Sequence, residues 1–128
     1  MNKVVHFELP FDDKARSEKF YTEAFGWEIN EIPEINYTSV TTTPTDEHMM
    51  PTTPGAINGA IVERGSTAPA PVITISVDSI EEYQKKIEAA GGKVIGPIGE
   101  VPNMGYFAYF SDTEGNVMGL WQDWEQTA

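Results

Sequence analysis

The 128-residue sequence predicts an α+β protein built from two modules of one order, strand-helix-strand-strand-strand. Three observations predict it. Most apolar stretches alternate with a period of two, and only two carry helical spacing. Each helical stretch follows a strand and is stopped by glycine, at Gly26 and at Gly91-Gly92. Laying Asp12 on Asp78 also lays Ala24 on Ala90, Gly26 on Gly92 and Ile29 on Ile95, so the order recurs in register. The expected organisation is one domain over residues 1–128, made of modules at about 3–63 and 71–122.

The first strand covers Val4 to Leu9. Val5, Phe7 and Leu9 form a face suited to packing under a helix; Val4, His6 and Glu8 form the opposite face. Pro10, which cannot donate to a ladder, is expected to end it. Asp12 or Asp13 caps a helix from about Lys14 to Ala24, whose apolar stripe is Phe20, Tyr21, Ala24 and Phe25. Trp27 to Ile32 reads as the second strand, and Tyr37 to Thr43, rich in β-formers, as the third. Pro44 to Gly55 is a loop with three prolines, His48 and the pair Met49-Met50. Ala56 to Glu63 is the fourth strand, and Arg64 to Ala70 the link.

The second module opens with Pro71 to Asp78, where Ile73, Ile75 and Val77 share one face and Val72, Thr74 and Ser76 the other. Ser79-Ile80-Glu81-Glu82 is a capping box. Ile80, Tyr83, Ile87 and Ala90 give the buried stripe of the second helix. Lys93 to Ile95 is a short strand, Gly96 to Asn103 a loop with room for extended pairing, and Tyr106 to Ser111 a strand. Asp112 to Gly115 turns the chain into a last strand, Asn116 to Gln122, followed by a polar tail from Asp123 to Ala128. Each sheet would have one face covered by a helix and one left open.

Composition excludes several chemistries. With no cysteine there are no disulfides, thiolate metal sites or cysteine nucleophiles, which suits a reducing cytoplasm. Met1-Asn2-Lys3 is not a basic region followed by an apolar run, so no signal peptide is expected, and no apolar run is long enough to span a bilayer. A net charge of −12 without a basic cluster argues against nucleic acid and anionic membranes as partners. There is no phosphate-binding glycine loop, and nothing places a serine and an aspartate beside either histidine.

With its elements in order, the chain resembles the vicinal oxygen chelate superfamily, which includes glyoxalase I, the extradiol dioxygenases and the bleomycin-resistance proteins. Three segments carry the resemblance. They are His6-Phe7-Glu8-Leu9-Pro10 through Phe25-Gly26-Trp27; Val72 to Val77 with the helix and Gly91-Gly92; and Phe110-Ser111-Asp112-Thr113-Glu114-Gly115-Asn116 to Trp121. It implies paired βαβββ modules whose curled sheets form a cup, often completed by a homodimer. It also implies metal ligands at four places, which fall here on His6, on Asn58 with gaps, on Val72, and on Gly119 or its neighbours. Only His6 is a good ligand, so the resemblance does not carry over the metal set.

His6 has three readings: a ligand to a divalent metal with Glu8 and His48, a metal-free histidine held by hydrogen bonds, or an acid/base group titrating near neutrality. Glu8 is either a base and orienter for His6 or a solvated carboxylate at the rim. Tyr37, Tyr106 and Tyr109 could bring hydroxyls to the cup or belong to the core. Asn58 could fix an orienting amide, and Trp121, on the face of Gly119, could line an apolar cavity. Met49 and Met50 could close over an apolar ligand as a lid. The expected protein is a cytoplasmic homodimer that binds a small, partly apolar molecule without a cofactor, with His6 and Glu8 for any acid/base step. The alternatives are a metal-dependent lyase, isomerase or dioxygenase, and an interaction module without a ligand.

Overall fold

The structure, a computed structural model, describes residues 1–124. It is α+β, and its contacts divide it into two compact units: His6–Pro71, and the chain from Val72 onward together with Met1–Val5.

The first unit holds β1 (Val4–Phe11) from His6 on, α1 (Lys14–Phe25), β2 (Glu28–Ile32), a 3-10 turn at Pro33–Ile35, β3 (Tyr37–Thr41) and β4 (Asn58–Glu63). Its strands lie in the order β2-β3-β4-β1. β1 and β4 are parallel; the other pairs are antiparallel. Asp13 is the residue that caps α1, accepting from the Arg16 N–H at 3.0 Å. Asp12 instead meets Arg64, 2.9 Å away. Gly26 closes the helix at φ 71°, a conformation costly for any side chain with a Cβ, and its N–H reaches the Thr22 carbonyl.

The second unit holds β5 (Val72–Ser76), α2 (Ile80–Ala89), β6 (Lys93–Val101), β7 (Gly105–Ser111) and β8 (Val117–Asp123). Its strand order, β5-β8-β7-β6, again sets the first strand parallel to the last. Ser79 caps α2 through the Glu82 N–H. Asp112 builds the turn before β8, accepting from the Glu114 and Asn116 N–H groups and from the Asn116 amide. These bonds hold its carboxyl below the usual carboxylate range, the Asn116 side chain contributing most. Val77, Ile80, Ala108, Phe110 and Leu120 form the core, with Ile75, Tyr83, Ile87, Tyr106 and Met118 packed against it.

Several elements depart from expectation. β1 does not stop at Pro10, which sits opposite Val62 inside the strand. The Phe11 carbonyl accepts from the Arg64 N–H, so the bonds toward β4 alternate past Pro10 and its missing N–H interrupts none of them. The segment after Ile95 is strand, not loop: β6 continues to Val101 across a bulge between Ile95 and Gly99. The predicted stripe of α1 is mostly in solvent. No α1 residue is buried, Ala24 is exposed, and Phe20 and Phe25 are 56% and 62% exposed. Ala90 is likewise exposed, having ended α2 rather than packed under it. Of the tail read as polar from Asp123, Asp123 itself ends β8 and the Trp124 ring stacks on Tyr106 at 5.5 Å; residues 125–128 lie outside the described residues. Among the described residues no helix is long and apolar enough to cross a membrane.

Candidate functional site

Alternation along β1 sends Phe7 toward α1, where its ring lies 5.9 Å from Trp27, which in turn stacks on Tyr21. His6 and Glu8 therefore project from the other side of the sheet. The register puts His6 opposite Asn58, and Glu8 in one row with Ala60 of β4 and Ser39 of β3. Tyr37 enters this face because the 3-10 turn ends at Asn36 with φ 50°, a left-handed step that asparagine tolerates, and β3 starts directly after it.

The Tyr37 hydroxyl and His6 Nε2 share a hydrogen bond of 3.2 Å, and the two rings lie 6.4 Å apart at 22°. Burial lowers the His6 pKa to about 4, so the imidazole is neutral at pH 7 rather than titrating there. Burial also raises the Tyr37 pKa, and the negative charge of Glu8 raises it further. Glu8 is 9% exposed, so it is not a solvated rim carboxylate. Tyr37 thus joins the expected pair of His6 and Glu8 in one cluster: a neutral imidazole, a neutral phenol bonded to it, and a buried acid acting on the phenol.

Asn58 does other work. Its carbonyl oxygen accepts from the Thr42 N–H at 2.8 Å and the Thr43 N–H at 3.2 Å, fixing the root of the segment over residues 44–55. That segment closes on itself. Asp46 accepts from the N–H groups of His48 and Met50, bonds that lower its own pKa, and Thr45 bridges to Pro51. Met49 and Met50 stand 69% and 53% exposed on this preformed turn, and the exposed His48 lies 3.6 Å from Glu47. The structure does not bring His48 into a set with His6 and Glu8.

In the second unit, Trp121 lies on the side of the sheet away from α2, whereas Tyr106 lies on the α2 side, in the core and against Trp124. Tyr106 is thus held in packing and is not on the face of Trp121. Tyr109, also away from α2, sets its ring edge toward Phe107. Two residues not singled out from the sequence matter here. Phe107 pairs directly with Trp121, and Thr74 pairs with Gly119. The signal for both was strand parity, read together with the glycines opposite them.

A divalent metal does not fit the side chains present. His6 Nε2 is engaged by Tyr37 and the Asn58 oxygen by backbone N–H groups. Val72 is buried hydrocarbon, and a Cβ placed on Gly119 would stand 2.6 Å from Thr74 Oγ1, so Thr74 fills the space a ligand-bearing side chain would need. Among the described residues no three His, Cys, Asp or Glu side chains converge.

Residues 3–43 match the bleomycin resistance protein-like N-terminal family. The glyoxylase-type protein CFP32 of Mycobacterium tuberculosis is 28% identical over 120 residues, which cover 90% of this chain and 43% of that one; the chain thus spans less than half the length of this curated relative. A glyoxalase/bleomycin resistance/dioxygenase superfamily member from Vibrio splendidus 12B01 superimposes with a TM-score of 0.60 at 14% identity, covering 97% of this chain and 100% of that one. A methylmalonyl-CoA epimerase, solved in complex with methylmalonyl-CoA and NH4+, superimposes with a TM-score of 0.63 at 14% identity over 98% and 96% of the two chains.

Proposed function

We propose that the chain is a member of the vicinal oxygen chelate superfamily and that it binds a small, partly apolar molecule at His6, Tyr37 and Glu8 without a metal ion. The observation that carries this reading is the 3.2 Å bond between the Tyr37 hydroxyl and His6 Nε2, made where a metal ligand would have to be free. A neutral imidazole and a neutral phenol are hydrogen-bonding groups suited to a carbonyl or hydroxyl. His6 and Glu8 are the groups for any acid/base step, with the Tyr37 hydroxyl and the neutral His6 ring orienting the ligand.

The reading takes the working form as a cytoplasmic homodimer. The exposed rings of Phe20 and Phe25 support pairing, since a second copy would cover them, and the lack of cysteine suits the compartment. Light scattering that returned only the 14.2 kDa monomer would remove the dimer from it.

The test of binding has two arms. Elemental analysis of protein purified without chelator should find no stoichiometric metal. Nitrogen NMR of the His6 ring should show a neutral imidazole at pH 7 whose signals move when a panel of small carboxylates, ketones and thioesters is added, and move less in Tyr37→Phe. Stoichiometric metal lost in His6→Ala would support the metal-dependent alternative instead. His6 signals unmoved by every compound would leave the interaction module as the better reading.

A further inference from the structure

The two helices start alike and pack differently. Laying the cap Asp13 on the cap Ser79 also lays Phe11 on Val77, Lys14 on Ile80, Ser17 on Tyr83 and Tyr21 on Ile87. In the second unit these positions are filled. Val77 and Ile80 are buried, and Tyr83 and Ile87 pack against the core. In the first unit Lys14 is drawn to Glu31, 2.6 Å away, and Ser17 ends at its hydroxyl where a large side chain would close the gap. A cleft of about 290 Å³ is left between the end of β1 and the first turns of α1. Phe11, Phe20 and Tyr21 supply its apolar walls. Phe11 shares the parity of Phe7, so the cleft lies on the α1 side of the sheet, away from His6.

Both acids at the cleft are committed. Asp12 Oδ1 accepts from Arg64 Nε at 2.9 Å, and Asp13 Oδ1 accepts from the Arg16 N–H at 3.0 Å. Arg16, also at the cleft, spends only that backbone N–H; its guanidinium has no hydrogen bond or ion pair among the described residues. The chain carries 20 acids to 8 bases, yet four of those bases, Lys14, Arg16, Lys19 and Arg64, gather at this corner. An aromatic slot beside an uncompensated guanidinium and a serine hydroxyl complements a planar aryl carboxylate. The ring lies among Phe11, Phe20 and Tyr21, and the carboxylate takes the paired N–H donors of Arg16.

We propose that this cleft is a second binding site, for a small planar aryl carboxylate whose ring is held by Phe11, Phe20 and Tyr21 and whose charge is held by Arg16. It is separate from His6, Glu8 and Tyr37, which project from the other side of the sheet, so the two sites can fail separately.

The probe is 2-naphthoate, titrated into the full chain and followed by its own fluorescence anisotropy and by calorimetry. 2-Naphthamide serves as the neutral analogue and 2-naphthylmethylammonium as the cation. 2-Naphthoate should bind saturably and more tightly than either. Arg16→Gln should weaken it by about tenfold and leave the amide unchanged, as expected for loss of one charge-assisted pair. Ser17→Tyr, which copies the residue of α2 at this position, should exclude all three compounds without lowering the midpoint of denaturant unfolding. Should Ser17→Tyr fail to fold by circular dichroism, Phe20→Leu takes its place and should weaken all three. No saturable 2-naphthoate binding, by monomer or dimer, overturns the cleft, as does equal affinity in the folded variants. Binding that survives Arg16→Gln and is lost in His6→Gln also overturns it, and would support the His6 site instead.

Discussion

The two units share strand order, parallel first and last strands, and helix caps that fall at matching positions, Asp13 and Ser79, yet they use their faces differently. In the second unit α2 buries Ile80 completely and seats Tyr83 and Ile87 against the core. In the first unit α1 buries nothing and is tied to the sheet through the stacked rings of Tyr21, Trp27 and Phe7. The opposite faces differ as sharply. One carries His6, Glu8 and Tyr37; the other carries Thr74, Phe107 and Trp121. Repeating a topology fixes where side chains project, because strand period and pairing set that. It does not fix what the projecting groups do, which depends on the residue at each position and on its neighbours across the sheet.

That contrast can be broken most directly at the helices. Ile80→Ala should cost about 3 kcal/mol in chemical denaturation, the range for a fully buried aliphatic residue, whereas Phe20→Ala on α1 should cost less than about 1 kcal/mol. Equal losses would mean that α1 is packed as tightly as α2.

The His6 face should show itself through pH. The folded pKa near 4 lies below the value of 6.5 for an unperturbed imidazole. Between these limits the unfolded chain takes up a proton that the folded chain refuses, so stability falls as pH drops from 6.5 through 4. The loss should reach at most about 3 kcal/mol. It should vanish in His6→Gln, and the difference between the two unfolding curves isolates it from the carboxylates. A difference that did not change with pH would mean that His6 is hydrated.

The face of the second unit away from α2 gives a steric test. Gly119→Ala puts a Cβ against Thr74 and should destabilise by about 2 kcal/mol, as overpacking does. Thr74→Ala in the same chain should recover most of that loss. A neutral Gly119→Ala would show that Thr74 moves aside, leaving room for a ligand-bearing side chain. The smallest effects should be the most alike. Asp13→Ala and Ser79→Ala should each cost about 1 kcal/mol in thermal or denaturant unfolding, since both caps satisfy one N–H at the same place in their helices.

Much of the fold was legible because alternation, caps and glycines act locally. Gly26 stops α1 and Ser79 starts α2 as read from the chain. Pro10 misled because its effect depends on which side of the strand its missing N–H faces, and only the pairing with β4 decides that. β6 was hidden behind Gly96 and Pro97, which read as loop residues until β7 pairs around the bulge. Of the site, the parity of His6 and Glu8 was legible, as was the sharing of one face by Gly119 and Trp121. The bond from Tyr37 was not, because it joins residues far apart in sequence through the register of three strands.

By itself, then, the sequence determined the order of elements, the repeat, the absence of thiol chemistry and the poverty of metal donors at Val72 and Gly119, since these follow from residue identity and short-range periodicity. Only the tertiary structure decided that His6 is neutral and bonded to Tyr37, that Glu8 is buried, that Thr74 fills the space beside Gly119, and that Phe107 pairs with Trp121. Each of these depends on which atoms meet across strands and on how much water they lose in meeting, and neither quantity is written in the chain's local order.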